Sequence, residues 1–332
     1  MVQTTWGWLI VIYLFLGGLG AGAFLCSALA YKGFLGSLNE RFYKFGFLLA
    51  PVAVIIGTAL LLFDLAPSAA INPLKILQLY TRPVSMMSIG TYLLTFFIVV
   101  SVLVLLQIKK SGKICDMMLT LGAILALGVM GYTGLLLYVV KAIPLWASVW
   151  LPILFTISAI STGLSANAAA TLNAGHGLSH CAHKFHVVLV ALEIVAVLAL
   201  FASVRSEAAG MASVTKIVSG SLAPMFWIGF VVFGLALPLL GGSKFMLRSC
   251  SVNADGSVCA HGGEEVKSCV YNEYGVLIGD FCLRALIVLA QSIYFNPYLL
   301  VLLGRLTELL NFIALLLLQA NRLLDRSHLL TA

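Results

Sequence analysis

A chain of 332 residues that is 61% hydrophobic and only 9% charged, with a mean hydropathy of +1.08, has too few polar side chains to coat a soluble globule. Its formal net charge of +7 would suit a nucleic-acid partner in a soluble protein, but Lys and Arg gather in short loops beside apolar runs and no basic stretch is interleaved with aromatics, which argues against that class. The apolar runs are continuous, do not alternate with period 2, and reach the roughly 20 residues needed to cross hydrocarbon, so the composition predicts an all-α integral membrane protein and not a barrel.

In chain order, hydropathy predicts spans at 6–31, 43–65, 84–108, 115–140, 149–172, 184–204, 220–241 and 276–295. A further apolar run at 297–320 follows Asn296-Pro297, so eight to nine transmembrane helices are expected. The first basic residue is Lys32, after the first run; without a positive n-region, that run reads as a retained helix despite Ala28-Leu29-Ala30. Lys32, Arg41 and Lys44 flank the first connection and Lys109, Lys110 and Lys113 fill the third, which places both in the cytoplasm and the N-terminus outside. Nine spans would put Arg322 and Arg326 inside as well. The polar segment 242–275 becomes a cytoplasmic loop too short to hold a catalytic domain. It carries Cys250, Cys259 and Cys269, whose spacings fit no common zinc pattern.

Within the spans, Gly18 and Gly22 form a G-x-x-x-G that suits close helix packing; a dinucleotide fingerprint would need a preceding strand. Trp6, Trp8, Trp146 and Trp150 fall near the outer ends, as an interfacial belt would. Paired haem ligands are not evident, because no histidine lies deep in a span: His176, His180, His183 and His186 cluster around one cytoplasmic connection and read as a solvated loop.

Four ionisable residues sit in otherwise apolar stretches, Asp64, Glu193, Arg284 and Glu308, and a charge in hydrocarbon is costly enough to need a partner or a task. Asp280 with Arg284, and Arg305 with Glu308, share helix faces and can neutralise each other. Glu193 has Leu189, Val190, Ala196 and Val197 one turn away, so it reads as a lone mid-membrane carboxyl suited to a proton relay. Asp64 lies at the outer end of the second span, and Tyr132 enters the same outer third from the fourth; a phenol and a carboxyl at the mouth of an apolar cleft suit a two-headed lipophilic ligand such as a quinol.

At these residues the chain resembles the polysulfide reductase/NrfD-like membrane subunits of respiratory oxidoreductases. The matching pieces are WGWLIVIYLFLGGLGAGAF, LLFDLAP, RPVSMMSIGTYLLTFF, GYTGLLLY, LPILFTISAISTG and GDFCLRALIVLAQ, in family order from Trp6 to Gln291. The resemblance implies two four-helix bundles (the first four spans and the next four); the polar loop 242–275 and the run 297–320, read as a ninth helix, are extra to the simplest family pattern. It implies an anchor without haem that exchanges electrons between membrane quinone, menaquinone or ubiquinone, and an iron-sulfur subunit at the outer face. Iron-sulfur clusters and molybdopterin would belong to partner subunits, a ferredoxin-like protein and a molybdopterin-type catalytic subunit.

Carried onto this sequence, the family's quinone-site tyrosine maps to Tyr132, its helix-two aspartate to Asp64 and its late arginine to Arg284, and Glu193 matches an acidic position often present in helix six. The expected mechanism has quinol bound near Trp8, Asp64 and Tyr132, with Tyr132 and Asp64 exchanging its protons, and Glu193 with the Asp280–Arg284 pair as the proton path to the cytoplasm. Two departures are visible: no basic residue follows Asp64 in DLAPSA, and the first span has no histidine. Two other classes compete. A secondary transporter could use Glu193 as its proton or ion site, although no internal duplication is evident, and a purely structural anchor would bind no quinone.

Overall fold

The computed structural model describes residues 7–65, 85–141, 143–240 and 263–290. The described elements are helices throughout: α1 Trp8–Tyr31, α2 Glu40–Leu65, α3 Met86–Ser111, α4 Asp116–Tyr138, α5 Trp150–Leu172, α6 His180–Ser203, α7 Ala208–Val218, α8 Met225–Leu240 and α9 Gly263–Leu289. Among the described residues six helices, α1 to α6, are long and apolar enough to cross a membrane, and the protein is a multi-pass membrane protein. α8 is short and π-wound from Met225 to Ala236, and α9 carries Glu273, Asp280 and Arg284 along its apolar half. The run 297–320 and the Arg305–Glu308 pair lie outside the described residues, as do Cys250 and Cys259. Residues 263–275, expected as loop, are instead the first turns of α9; Glu264 and Glu265 suit a helix start, where exposed N–H groups favour negative charge.

The helix ends follow local chemistry. Ser179 caps α6 by accepting from the Ala182 N–H at 3.1 Å, and its hydroxyl donates to the Leu35 carbonyl of the first connection. Gly112, at φ +65°, ends α3 in the left-handed conformation after Lys109 and Lys110. Asp116 opens α4 and pairs with Lys32 at 2.6 Å, joining the first and third connections. The C-terminal carbonyls of α9 are met by Trp146 Nε1, which donates to Ile287 at 2.9 Å, and by Lys216 Nζ, which donates to Leu289 at 3.2 Å. Trp146 is fully buried, so it belongs to the core and not to the interfacial belt its position suggested. Trp150 is exposed, as a belt residue should be.

α1 and α5 stand at the centre. α1 packs on α2, α4, α5 and α9; α5 packs on α1, α2, α4, α6 and α9; α3 fills the groove between α2 and α4, and α8 lies on α9. The central pair meets backbone to backbone, since a methyl group at Gly22 would lie 1.8 Å from the Ala159 carbonyl oxygen. Small residues are what let helices approach this closely where no hydrophobic effect drives them together.

The polarity is the reverse of a soluble bundle. α6 turns Val188, Leu192, Val195 and Leu198 outward and buries His186 and Glu193. α9 buries Glu273, Asp280 and Arg284. Aliphatic side chains facing lipid and polar ones facing protein are what a hydrocarbon solvent selects.

Candidate functional site

Two polar sites lie inside this frame. The first gathers at the ends of α1, α3 and α4 that share one side of the bundle. Tyr132 of α4 is buried, and its ring lies on Gly90 of α3, where a methyl group would fall 1.8 Å from Cζ and 2.0 Å from the hydroxyl. Tyr13 of α1 is close enough to interact with Tyr132. The Tyr13 side chain is fully buried, and its hydroxyl has no hydrogen-bond partner among the described residues. A buried phenol without a partner is costly and therefore informative. Trp8 is half-buried in the first turn of α1, about one and a half turns from Tyr13. Asp64 falls in the last turn of α2, but its side chain lies outside the described residues.

The second site sits where α5, α6 and α9 meet. Ser158 Oγ donates to Asp280 Oδ1 at 2.7 Å and accepts from Arg284 Nη1 at 2.9 Å, so one hydroxyl joins acid to base. Thr162 donates to the other Asp280 oxygen. Arg284 Nη1 also donates to the Asp280 carbonyl oxygen at 3.1 Å, as an (i, i+4) neighbour. The guanidinium is fully buried between the rings of Phe15 and Phe155, at 5.9 and 5.5 Å from their centroids.

Glu193 is not the lone charge the sequence suggested. Its side chain interacts with Asp280 and Ser158 and feels the Arg284 charge. The sequence could not show this, because every partner lies on α5 or α9 and none on its own helix. The three residues assigned to a proton path therefore form one buried cluster, and with them come Ser158 and Thr162, which sequence reasoning missed. The only signal for these two was their spacing of four, in FTISAISTG, which puts both hydroxyls on one face of α5.

Arg284 also points back to the first site. Its Nε and Nη2 have no partner among the described residues, and a methyl group at Gly18 of α1 would lie 2.7 Å from Nη2. Gly18 is five residues below Tyr13, about 7.5 Å of helix rise. Unsatisfied donors on one side and an unsatisfied phenol on the other thus share α1.

The polysulphide reductase NrfD family model matches residues 1–249, three quarters of the sequence. The protein belongs to the NrfD family. The C subunit of polysulfide reductase from Wolinella succinogenes is 32% identical over 271 residues, which cover 71% of this sequence and 82% of that protein. Protein NrfD of Escherichia coli is 28% identical over 267 residues, covering 71% of this sequence and 83% of that protein. The NrfD homolog of Haemophilus influenzae is 26% identical over 321 residues, 87% of this sequence and 94% of that protein. In this NrfD-family member the family match ends at 249 and so takes in Tyr13, Tyr132, Ser158 and Glu193, while Asp280 and Arg284 lie beyond it.

Proposed function

We propose that this NrfD-family protein is a haem-free, quinone-reactive membrane anchor of a respiratory oxidoreductase complex. The observation that carries the reading is the Tyr13–Tyr132 pair, two buried phenols at the ends of α1 and α4, one of them without a partner among the described residues. A quinone carbonyl accepts hydrogen bonds and a quinol hydroxyl donates them, and a phenol answers both. Trp8 and Asp64 flank the same end in sequence, and the apolar surroundings suit a lipophilic ring.

Oxidation of a quinol to a quinone releases two electrons and two protons; reduction takes up the same. In this reading the electrons pass to or from an iron-sulfur subunit docked at the outer face and on to a molybdopterin-type catalytic subunit. The letter C borne by the Wolinella relative supports a place as one subunit among several. The protons are handled by Tyr132 and Asp64. α8 and α9 complete the second bundle beside α5 and α6, with the N-terminus outside the inner membrane.

Glu193, Asp280 and Arg284 form the proton path. Two carboxyls face one guanidinium, so the cluster is neutral when the carboxyl pair holds one proton, which makes the pair a place to store and pass one. Passage through it would make turnover electrogenic.

The test is Tyr132→Phe in the purified complex. Quinol-linked turnover is expected to fall by about 10²-fold, the range for losing a positioned proton-transfer group, with subunit composition unchanged. Unchanged turnover overturns the site.

A further inference from the structure

The histidines that read as a solvated loop form a graded series on α6. His180 is exposed, His183 half-buried and His186 buried, each about 4.5 Å further along the helix axis than the last. The series ends on an acid: His186 Nδ1 lies 3.5 Å from Glu273 Oε1, and both side chains are almost fully enclosed. Ser165 of α5 meets His186 Nε2 at 3.3 Å. Glu273 Oε2 has no hydrogen-bond partner among the described residues. A buried imidazole, a buried carboxyl with a free oxygen and a hydroxyl, contributed by three helices, is more polar machinery than packing alone requires.

The register of the helices aligns this group with the cluster above it. His186 and Glu193 are seven apart on α6, Glu273 and Asp280 seven apart on α9, and Ser165 and Ser158 seven apart on α5. Seven residues are two turns, so all three helices repeat their polar residue on the same face about 10.5 Å further in. Thr162 and the buried Ser161, whose hydroxyl has no partner among the described residues, occupy the interval. The two tiers sense each other, because Asp280 contributes to the field at His186. The charged and titratable groups facing the lower tier are His180 and His183 from α6, Glu273 from α9 and, one tier on, Asp280; α5 supplies the neutral Ser165.

We infer that His180, His183, His186 and Glu273 form the proton entrance that loads the Glu193–Asp280 pair from the cytoplasmic side. This rests on the proton path proposed above. A proton from water binds a ring nitrogen of His180, passes through His183 and His186 to Glu273, and leaves by the Ser165–Thr162 row of hydroxyls for Asp280. Each group gives up one proton and takes back one, so none is consumed.

The experiment uses the purified complex in proteoliposomes, with quinol-linked turnover and proton uptake on the His180 face followed separately. Glu273→Gln and His186→Gln are expected to cut protons taken up per electron by about tenfold while the complex stays assembled, and Glu273→Asp to retain at least half of the wild-type ratio. His180→Gln with His183→Gln, at the exposed end of the series, is expected to slow uptake about threefold and to recover with added imidazole, a rescue that a structural role would not show. A wild-type ratio in Glu273→Gln, alongside its loss in Asp280→Asn, overturns the entrance and leaves the path standing. No proton uptake by the wild-type complex overturns both.

Discussion

Gly90→Ala puts a methyl group where the Tyr132 phenol now lies. The new carbon would stand 1.8 Å from Tyr132 Cζ and 2.0 Å from its hydroxyl, whereas unbonded carbons rest about 3.5–4.0 Å apart. The ring must therefore retreat by roughly 2 Å. A misplacement of about 1 Å at a reacting group can cost on the order of 10²-fold in rate, so quinol oxidation by the purified complex, followed with an artificial electron acceptor, is expected to fall by at least that factor. Helix stability moves the other way, since alanine is favoured over glycine in a helix interior by about 1 kcal/mol. The decisive comparison is a cycle with Tyr132→Phe. If both changes act through the position of one hydroxyl, the double variant is no slower than the slower single one. Activity of Gly90→Ala within about twofold of wild type, or losses that multiply in the double variant, would refute the reasoning.

Other outcomes follow from the core. Gly22→Leu cannot be accommodated without parting α1 from α5 and is expected to lower stability by more than the ~1–3 kcal/mol usual for overpacking, read as a fall in the thermal unfolding midpoint in detergent. Asp280→Leu removes the acid hydrogen-bonded through Ser158 to the fully buried Arg284 guanidinium and leaves Glu193 as the nearby carboxyl, so it should cost up to about 3–5 kcal/mol, most of it recovered in Asp280→Leu with Arg284→Met; no recovery would mean that the charges are not coupled. Trp146→Phe removes the donor to the Ile287 carbonyl and is expected to cost about 1–3 kcal/mol, visible in the same melting experiment.

The helical, membrane-spanning character was legible at once, because hydrocarbon imposes it on composition alone. The buried charges were legible too, since Asp280, Arg284 and Glu193 stand out against apolar neighbours in the linear sequence. What could not be read was who meets whom. Glu193 looked solitary because periodicity compares a residue only with its own helix, and its partners sit on α5 and α9. His186 looked solvated because it follows three other histidines near a loop, yet it lies one turn deeper than His183 and faces Glu273. Trp146 looked interfacial by its position, while the packing of α9 gave its indole a carbonyl to meet. Tyr13 gave no signal at all, because a tyrosine in an aromatic, apolar run is ordinary until its hydroxyl is found without a partner among the described residues.

The glycine contact between α1 and α5 bears on motion. With Gly22 against Ala159, and Gly163 so close that a methyl group there would lie 2.0 Å from the Gly22 carbonyl carbon, the central helices have no layer of side chains on which to slide or roll. A carrier that opens alternately to each side must rock one half of its fold against the other. This centre is built as a weld and not as a hinge, so α1 and α5 are expected to move as one body, and any such rocking would have to fall at another helix contact.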